Sequence, residues 1–260
     1  MMAQHAAYRL LLPAYSLWLR DLKHFIRQRS RVIGAVGQPF VIWIFLSAGF
    51  RHSMDAGGTT YGVYLFPGII LLIALFAAIF STISVIDDRK SGFLQGVLAS
   101  PAPRASIVWS KMLAGTTIAL AQSVIFLLLL PFTGLTLSWE GIGLSALVLF
   151  FAGMALTGLG LVISWSMTST QGFHAVMNLL LMPMWLLSGA LFPPEGAAGW
   201  LAAVIRLNPL YYVNALFQQA FFLGSDVRVA GVPPTALSIA VFAALFAVLT
   251  FVSLRMVHRK

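Results

Sequence analysis

The sequence predicts an all-α integral membrane protein with six transmembrane helices, and three observations carry that prediction. Hydrophobic residues make up 60% of the 260-residue chain and charged residues 9%, against roughly 25% charged in an ordinary soluble mix. Six apolar segments approach the ~20 residues a helix needs to cross a hydrocarbon core of roughly 30 Å: Val32–Phe50, Tyr61–Ile86, Met112–Phe132, Gly141–Ser166, Phe173–Phe192 and Pro234–Leu254. The charges outside them are asymmetric. With the N-terminus, segment 87–111 and the C-terminus on one side, thirteen of the sixteen Lys and Arg lie there, and only Arg51, Arg206 and Arg228 lie opposite. The positive-inside rule then places both termini in the cytoplasm. The net charge of +9 reads as topology, and nucleic acid is not expected as a partner.

Residues 1–31 come first and carry six basic residues with no uninterrupted apolar core before a small-residue cleavage site, so the segment is expected to stay in the mature protein rather than act as a signal peptide. Tyr8, Leu11, Leu12, Tyr15, Trp18, Leu19, Leu22, Phe25 and Ile26 recur at three- and four-residue spacing, while Arg9, Arg20, Lys23 and Arg27 fall elsewhere. That pattern is an amphipathic helix lying on the membrane surface, apolar face toward lipid. Pro13 is expected to open it, since a first-turn proline sacrifices little. The helix serves either as an anchor alone or also as a docking element.

After the second span, the 25 residues Asp87–Lys111 form a charged, Pro-punctuated island between two apolar runs, and such an island is expected to sit in water. It contains Asp87, Asp88, Arg89, Lys90, Arg104 and Lys111 around a short amphipathic stretch, Gly92–Ala99, suited to a soluble partner that pushes on it.

The fourth span carries a stripe of small residues, Gly153, Thr157, Gly160 and Ser164, which lets helix backbones approach and predicts packing within the bundle rather than a substrate path. None of the six spans has an Asp, Glu, Lys or Arg in its interior, and the only ionisable candidate is His174 at the edge of the fifth. Carriers coupled to protons or sodium usually need such a residue or an unwound ion site. Ion-coupled transport, depending on His174, therefore ranks below a machine driven from outside the spans. Nor does any lysine follow a glycine, so the phosphate-cradling Gly-Lys-Ser/Thr loop is absent and nucleotide must bind another chain. Without cysteine there are no disulfides and no thiolate metal sites, and no metal or cofactor is expected on this chain.

Residues 191–224 break the simple pattern with a Pro-Pro step, a short apolar helix interrupted by Arg206, an Asn208-Pro209 turn and an aromatic-rich helix. Two short, re-entrant outer helices fit, because neither piece spans alone. Such backbone is tolerated in a membrane only when buried in protein or lining a cavity. Asn208, Pro209, Tyr211 and Tyr212 are thus candidates for an outer gate, the alternative being an interfacial cap in the aromatic belt. Trp43, Phe45, Phe76, Phe80, Trp185 and Phe192 either stack on an apolar cargo or face lipid and core.

The order of these parts resembles the type-2 permeases of the ABC exporter superfamily. The closest wording is Asp88-Arg89-Lys90-Ser91-Gly92-Phe93-Leu94 with Ser100-Pro101-Ala102-Pro103-Arg104, and Asn208-Pro209-Leu210-Tyr211-Tyr212. The resemblance implies a single type-2 transmembrane domain over residues 1–260, with an interface helix at 1–31, a coupling segment at 87–111 and outer helices at 191–224. It implies a non-catalytic permease of the bacterial inner membrane that pairs with itself or a homologous permease. Two copies of a cytoplasmic ABC ATPase carry ATP and Mg. The coupling helix falls at about Ser91–Ser100, where Phe93, Leu94, Val97 and Leu98 supply an apolar knob. Arg89, Lys90 and Arg104 orient the partner, Gly92 belongs to the same motif, and Arg20, Lys23 and Arg27 lie on the interface helix alongside. The wording is nearer the drug and lipo-oligosaccharide branch than the branch exporting lipid-linked polysaccharide.

Overall fold

The computed structural model describes residues 2–50, 60–195, 197–227 and 231–258, and among them there are helices and no strand. Arg51, Arg228, Arg259 and Lys260 of the charge count lie outside the described residues. In chain order the helices are α1 (Met2–Arg27), α2 (Arg29–Gly49), α3 (Tyr61–Ser81), α4 (Ile83–Lys90), α5 (Phe93–Ala99), α6 (Ala105–Leu127), α7 (Trp139–Ser166), α8 (Thr170–Leu186), α9 (Gly199–Leu207), α10 (Pro209–Phe221) and α11 (Thr235–His258). Among the described residues, four stretches are long and apolar enough to cross a membrane: Tyr61–Lys90, Ala105–Leu127, Trp139–Ser166 and Thr235–His258. In α2 the apolar stretch is Gly37–Gly49, and α8 has 17 residues.

Helix α3 is the hub. It is apolar on every side and buried almost end to end, as expected of a helix surrounded by others, and α2, α6, α7, α8 and α10 pack around it. It is followed directly by α4, and hydroxyls mark the joint: Ser81 Oγ donates to the Ala78 carbonyl at 2.6 Å and Thr82 Oγ1 to the Ile79 carbonyl at 2.7 Å. Such back-bonding competes with the backbone ladder and bends helices.

The stripe on α7 packs inside the bundle. A Cβ on Gly153 would approach Thr116 of α6 to 3.1 Å, and one on Gly160 would meet Thr82 Oγ1 at 2.8 Å and the Ile79 carbonyl oxygen at 3.0 Å. Thr157 fills the space beside Gly115, where a Cβ would lie 2.4 Å from its Oγ1. Three helices therefore touch nearly backbone to backbone around residues 79–82, 115–116 and 153–160.

Several local expectations are corrected. Pro13 sits inside α1 rather than opening it, because the helix already runs from Met2 and the missing N–H removes a single rung. Helix α8 stops at Leu186, short of the expected Phe192: Pro183 lies in its last turn, Ser188 N bonds the Trp185 carbonyl at 3.0 Å, and Gly189 turns the chain with φ +75°. Helix α6 begins at Ala105, seven residues before the apolar run, and so carries Lys111 into the bundle.

Two substitutions of the same kind on α7 are expected to move stability in opposite directions. Gly160→Ala forces its Cβ against an immovable carbonyl and is expected to cost about 1–3 kcal/mol. Gly143→Ala, where nothing lies within 4 Å, is expected to gain up to about 1 kcal/mol of helix propensity. Thermal unfolding in detergent checks both, and a destabilised Gly143→Ala or a neutral Gly160→Ala contradicts this packing.

Candidate functional site

The charged segment expected to lie wholly in water is partly folded into the protein. Lys111 is 4% exposed and Asp88 5% exposed. Lys111 Nζ lies 2.9 Å from Asp88 Oδ2, 2.8 Å from Asp21 Oδ2 and 2.9 Å from Ser84 Oγ. The Asp21 contact is an ion pair by distance without hydrogen-bond alignment. From the solvent side Arg20 forks onto both oxygens of Asp88, with Nη1 to Oδ2 at 3.1 Å, and its Nη1 also lies 3.2 Å from Asp21 Oδ1. Two acids and two bases from α1, α4 and α6 thus form one neutral cluster. Its bond to Asp88 holds the Arg20 guanidinium above its ordinary pKa, against the opposing pull of burial. Burial of the ammonium makes sense only with such partners, since an unpaired charge there is very costly.

The signal for this cluster was present in α1. Helix α1 has three faces: Leu11, Leu12, Tyr15 and Ile26 are exposed, Lys23 and Arg27 point away with the other polar residues, and Ala14 and Asp21 are buried on the side toward α6. Asp21 stands a turn or two from Ala14, Leu17, Trp18 and Phe25, an acid among core positions. Trp18 Nε1 donates to Thr117 Oγ1 at 3.1 Å and Ser106 Oγ to the Leu10 carbonyl at 3.2 Å, which ties α1 lengthwise along α6.

Arg20 has a second contact. Its guanidinium carbon lies 3.8 Å from the centre of the Phe93 ring, so one side chain of α1 grips both α4 and α5. The turn between those two helices is made by Gly92 at φ +78°, a conformation that costs a side chain. Leu94 then enters a small core with Val85, Val108, Met154, Trp165 and Val257, and Val97 and Leu98 pack on its rim. Phe93 is 37% exposed, and with Gln95, Gly96 and Ala99 it forms the outer face of this short helix, beside exposed Lys90 at the end of α4.

The other two arginines of the motif hold helix ends. Arg89 donates to the Trp165 and Met167 carbonyls at 2.7 and 3.0 Å, closing the C-terminus of α7, and its guanidinium lies 5.6 Å from the Trp165 ring. Arg104 donates to the His258 carbonyl at 3.1 Å at the end of α11. Orphan carbonyls and the negative helix end favour a cation in both places. Of the eight residues singled out for the coupling segment, Phe93 and Lys90 are the ones most open to a partner, while Leu94, Arg89 and Arg104 attach the segment to the bundle.

At the opposite end, Asn208 joins two helices. Its Oδ1 accepts from Leu210 N at 3.0 Å, capping α10 with Pro209 in the first turn, and its Nδ2 donates to the Met184 and Leu187 carbonyls at 2.6 and 2.8 Å. Tyr211 Oη donates to the Gly231 carbonyl at 2.6 Å and Tyr212 Oη to the Arg206 carbonyl at 3.0 Å. Helix α10 is buried along most of its length against α3, α7 and α11. These residues are brought together, and each hydroxyl or amide is bonded to backbone. No group of three or more metal-ligating side chains occurs among the described residues.

The family model described as "ABC-2 type transporter" matches residues 14–222. A transport permease of Porphyra purpurea, ycf38, is 26% identical over 212 residues, covering 79% of this chain and 72% of that one. The multidrug ABC transporter permease YbhR of Escherichia coli is 29% identical over 178 residues, covering 65% of this chain and 46% of that one. Nodulation protein J of Rhizobium leguminosarum bv. trifolii is 28% identical over 185 residues, covering 70% of each.

Replacing Lys111 by Met should leave Arg20 alone against two carboxylates, one of them unbalanced, and is expected to cost about 3–5 kcal/mol, the range for breaking a buried ion pair. The same change at exposed Lys23 should leave the unfolding transition where it was. Denaturant titration in detergent compares them, and equal effects would mean that the cluster is hydrated.

Proposed function

The chain belongs to the ABC-2 type transporter family, and on that premise we propose that it is the membrane-spanning half of an ATP-driven exporter, worked by cytoplasmic ATPases through α5. Permeases of this family are multi-pass membrane subunits of ABC transporters and work with a cytoplasmic ABC ATPase. The finer reading adds six spans with both termini inside, a homodimer or a pair with a homologous permease, two ATPase copies, and a place in the bacterial inner membrane. On this reading the ATP and Mg belong to the partner and the chain itself is not catalytic. Helices α2 and α8 supply the two spans beyond the four longest, and α9 and α10 form the short outer helices.

The observation that carries the coupling role is the attachment of α5. A segment that transmits force must present one face to its partner and be fixed on the other. Phe93 and Lys90 lie outward, whereas Leu94 is keyed into the core shared by α4, α6, α7 and α11. Arg20, Arg89 and Arg104 tie the same region to α1, α7 and α11. Displacement of α5 by a closing ATPase pair would therefore move several helices at once. Exposed Lys90, Lys23 and Arg27 would steer an acidic partner surface, an effect felt mainly in association rate.

For the cargo, the absence of charge from the span interiors and the word "multidrug" in the name of the YbhR relative support an amphipathic, drug-like or lipo-oligosaccharide molecule.

Phe93→Asp tests the docking role without breaking the fold, because the new carboxylate would face Arg20. Affinity capture of the tagged chain is expected to bring down an ATPase bearing Gly-x-x-x-x-Gly-Lys-Ser/Thr. Loss of a central aromatic anchor, worth roughly 2 kcal/mol or more, should cut that recovery about thirtyfold at unchanged membrane insertion. Equal recovery by both chains would remove α5 from the interface.

A further inference from the structure

A cavity of about 220 Å³ lies away from the coupling segment, between α1, α2, α3, α6 and α8. Its walls are apolar, with Ile42, Leu72, Phe76 and Phe80 prominent, and no Asp, Glu, Lys or Arg lines it. Besides the Ser81 hydroxyl, three polar rings or amides line it from different helices: Gln38 of α2, Gln122 of α6 and His174 of α8. His174 is stacked on Phe80 with ring centres 4.9 Å apart. Gln122 has no such partner. It is 2% exposed, and among the described residues neither its Nε2 nor its Oε1 makes a hydrogen bond.

A primary amide inside a membrane-spanning helix is costly to leave unpaired, and Leu or Met would fill the same position at no such cost. The cavity is too large and too apolar for one ordered water with its usual two to four polar partners. We propose that Gln122 is the polar anchor of a binding site for an uncharged amphipathic ligand. The ligand's apolar body covers Leu72, Phe76 and Phe80, and its neutral donor–acceptor head, such as a carboxamide, pairs with the Gln122 amide once that side chain, closed over in this structure, turns toward it. A charged head is disfavoured, because the walls supply no counter-ion. As a ligand site the cavity stands on its own geometry. As a cargo site it rests on the transport reading.

The probe is octadecanamide carrying a diazirine on its chain, photolysed with the purified protein in nanodiscs without ATP or ATPase. Labelling of peptides spanning residues 72–81 is expected, competed by excess octadecanamide and not by octadecanoate or octadecane. Gln122→Leu should weaken capture about tenfold, the loss expected for two modest hydrogen bonds, while the melting temperature stays level or rises because the orphan amide is gone. Ala77→Leu narrows the cavity without touching the amide and should also weaken labelling, so the site can still be tested if the first variant does not fold. Labelling competed equally by octadecane, or unchanged in either variant, overturns the proposal. So does a Gln122→Leu protein that loses both capture and stability, since the amide would then be structural. Because the readout needs no ATPase, failure here leaves the exporter reading untouched, and failure of ATPase capture leaves this site untouched.

Discussion

The buried neutral cluster of Arg20, Asp21, Asp88 and Lys111 is the constraint on which the rest of this architecture hangs. A surface helix such as α1 has no intrinsic reason to settle in one register on a bundle, since its exposed leucines are equally content in lipid. The cluster supplies the reason. Lys111 is fixed on α6 and nearly dry, so two carboxylates must come to it, one from α4 and one from α1. A slip of α1 by one turn would take Asp21 from Lys111 and Arg20 from Asp88, breaking two of the four ion pairs at a nearly dry site, and the size of that penalty makes the register specific. Replacing the whole set by apolar residues of matching volume would leave stability similar while losing that specificity, which is the sense in which buried charge can select a structure rather than strengthen it.

The same economy appears at the helix ends. Three C-termini that point out of the bundle are closed by side chains from distant parts of the chain: α7 by Arg89, α11 by Arg104, and α8 by Asn208. Each clasp satisfies carbonyls that a membrane or a crowded interface cannot hydrate. Each also makes a short loop act as part of the helix it caps. The wording around residues 88–104 and 208–212 that suggests partner contact and gating thus has an internal role that holds irrespective of any partner. Phe93 stands apart, because its only described polar contact is the Arg20 guanidinium on one ring face.

Much of this was legible in the sequence and some was not, for identifiable physical reasons. The long apolar run Gly141–Ser166 announces α7, and the apolar periodicity of residues 8–26 announces α1; the N-cap Ser138, which accepts from Gly141 N, comes from the structure. The small-residue spacing on α7 also pointed correctly to internal packing. What hydropathy cannot show is a charge that turns inward to meet another: Lys111 reads as water-facing until Asp21 and Asp88, 90 and 23 positions away, are brought beside it. The boundaries of α6 and α8 moved for related reasons. Composition cannot see that Ser106 and Lys111 have buried partners and so belong to a helix, nor that Pro183 and Gly189 end one early. The triple role of Arg20 was out of reach, because a residue on the polar side of one helix gives no sign of the ring and carboxylate it meets on two others.

On the proposed reading, force passes from the outer face of α5 to the cavity around Gln122 through α4 and α3. Phe76 and Phe80 line the cavity from α3, and Asp88 anchors the ion cluster from α4. These helices are consecutive, joined at Ser81 and Thr82, where side-chain hydroxyls bond the Ala78 and Ile79 carbonyls and the latter also accepts from the Thr82 amide at 3.0 Å. Thr82 is pressed against Gly160, leaving no slack on that side. A push on α5 therefore reaches the joint through α4 held rigidly by Lys111, and the joint can yield only away from α7, toward the side where α8 and the cavity lie. Rotation there would swing the Phe76 and Phe80 rings relative to His174 and Gln122. On that reading the two sites would be coupled without any change in the ion cluster, whose own contacts stay intact while the softer joint beyond it moves.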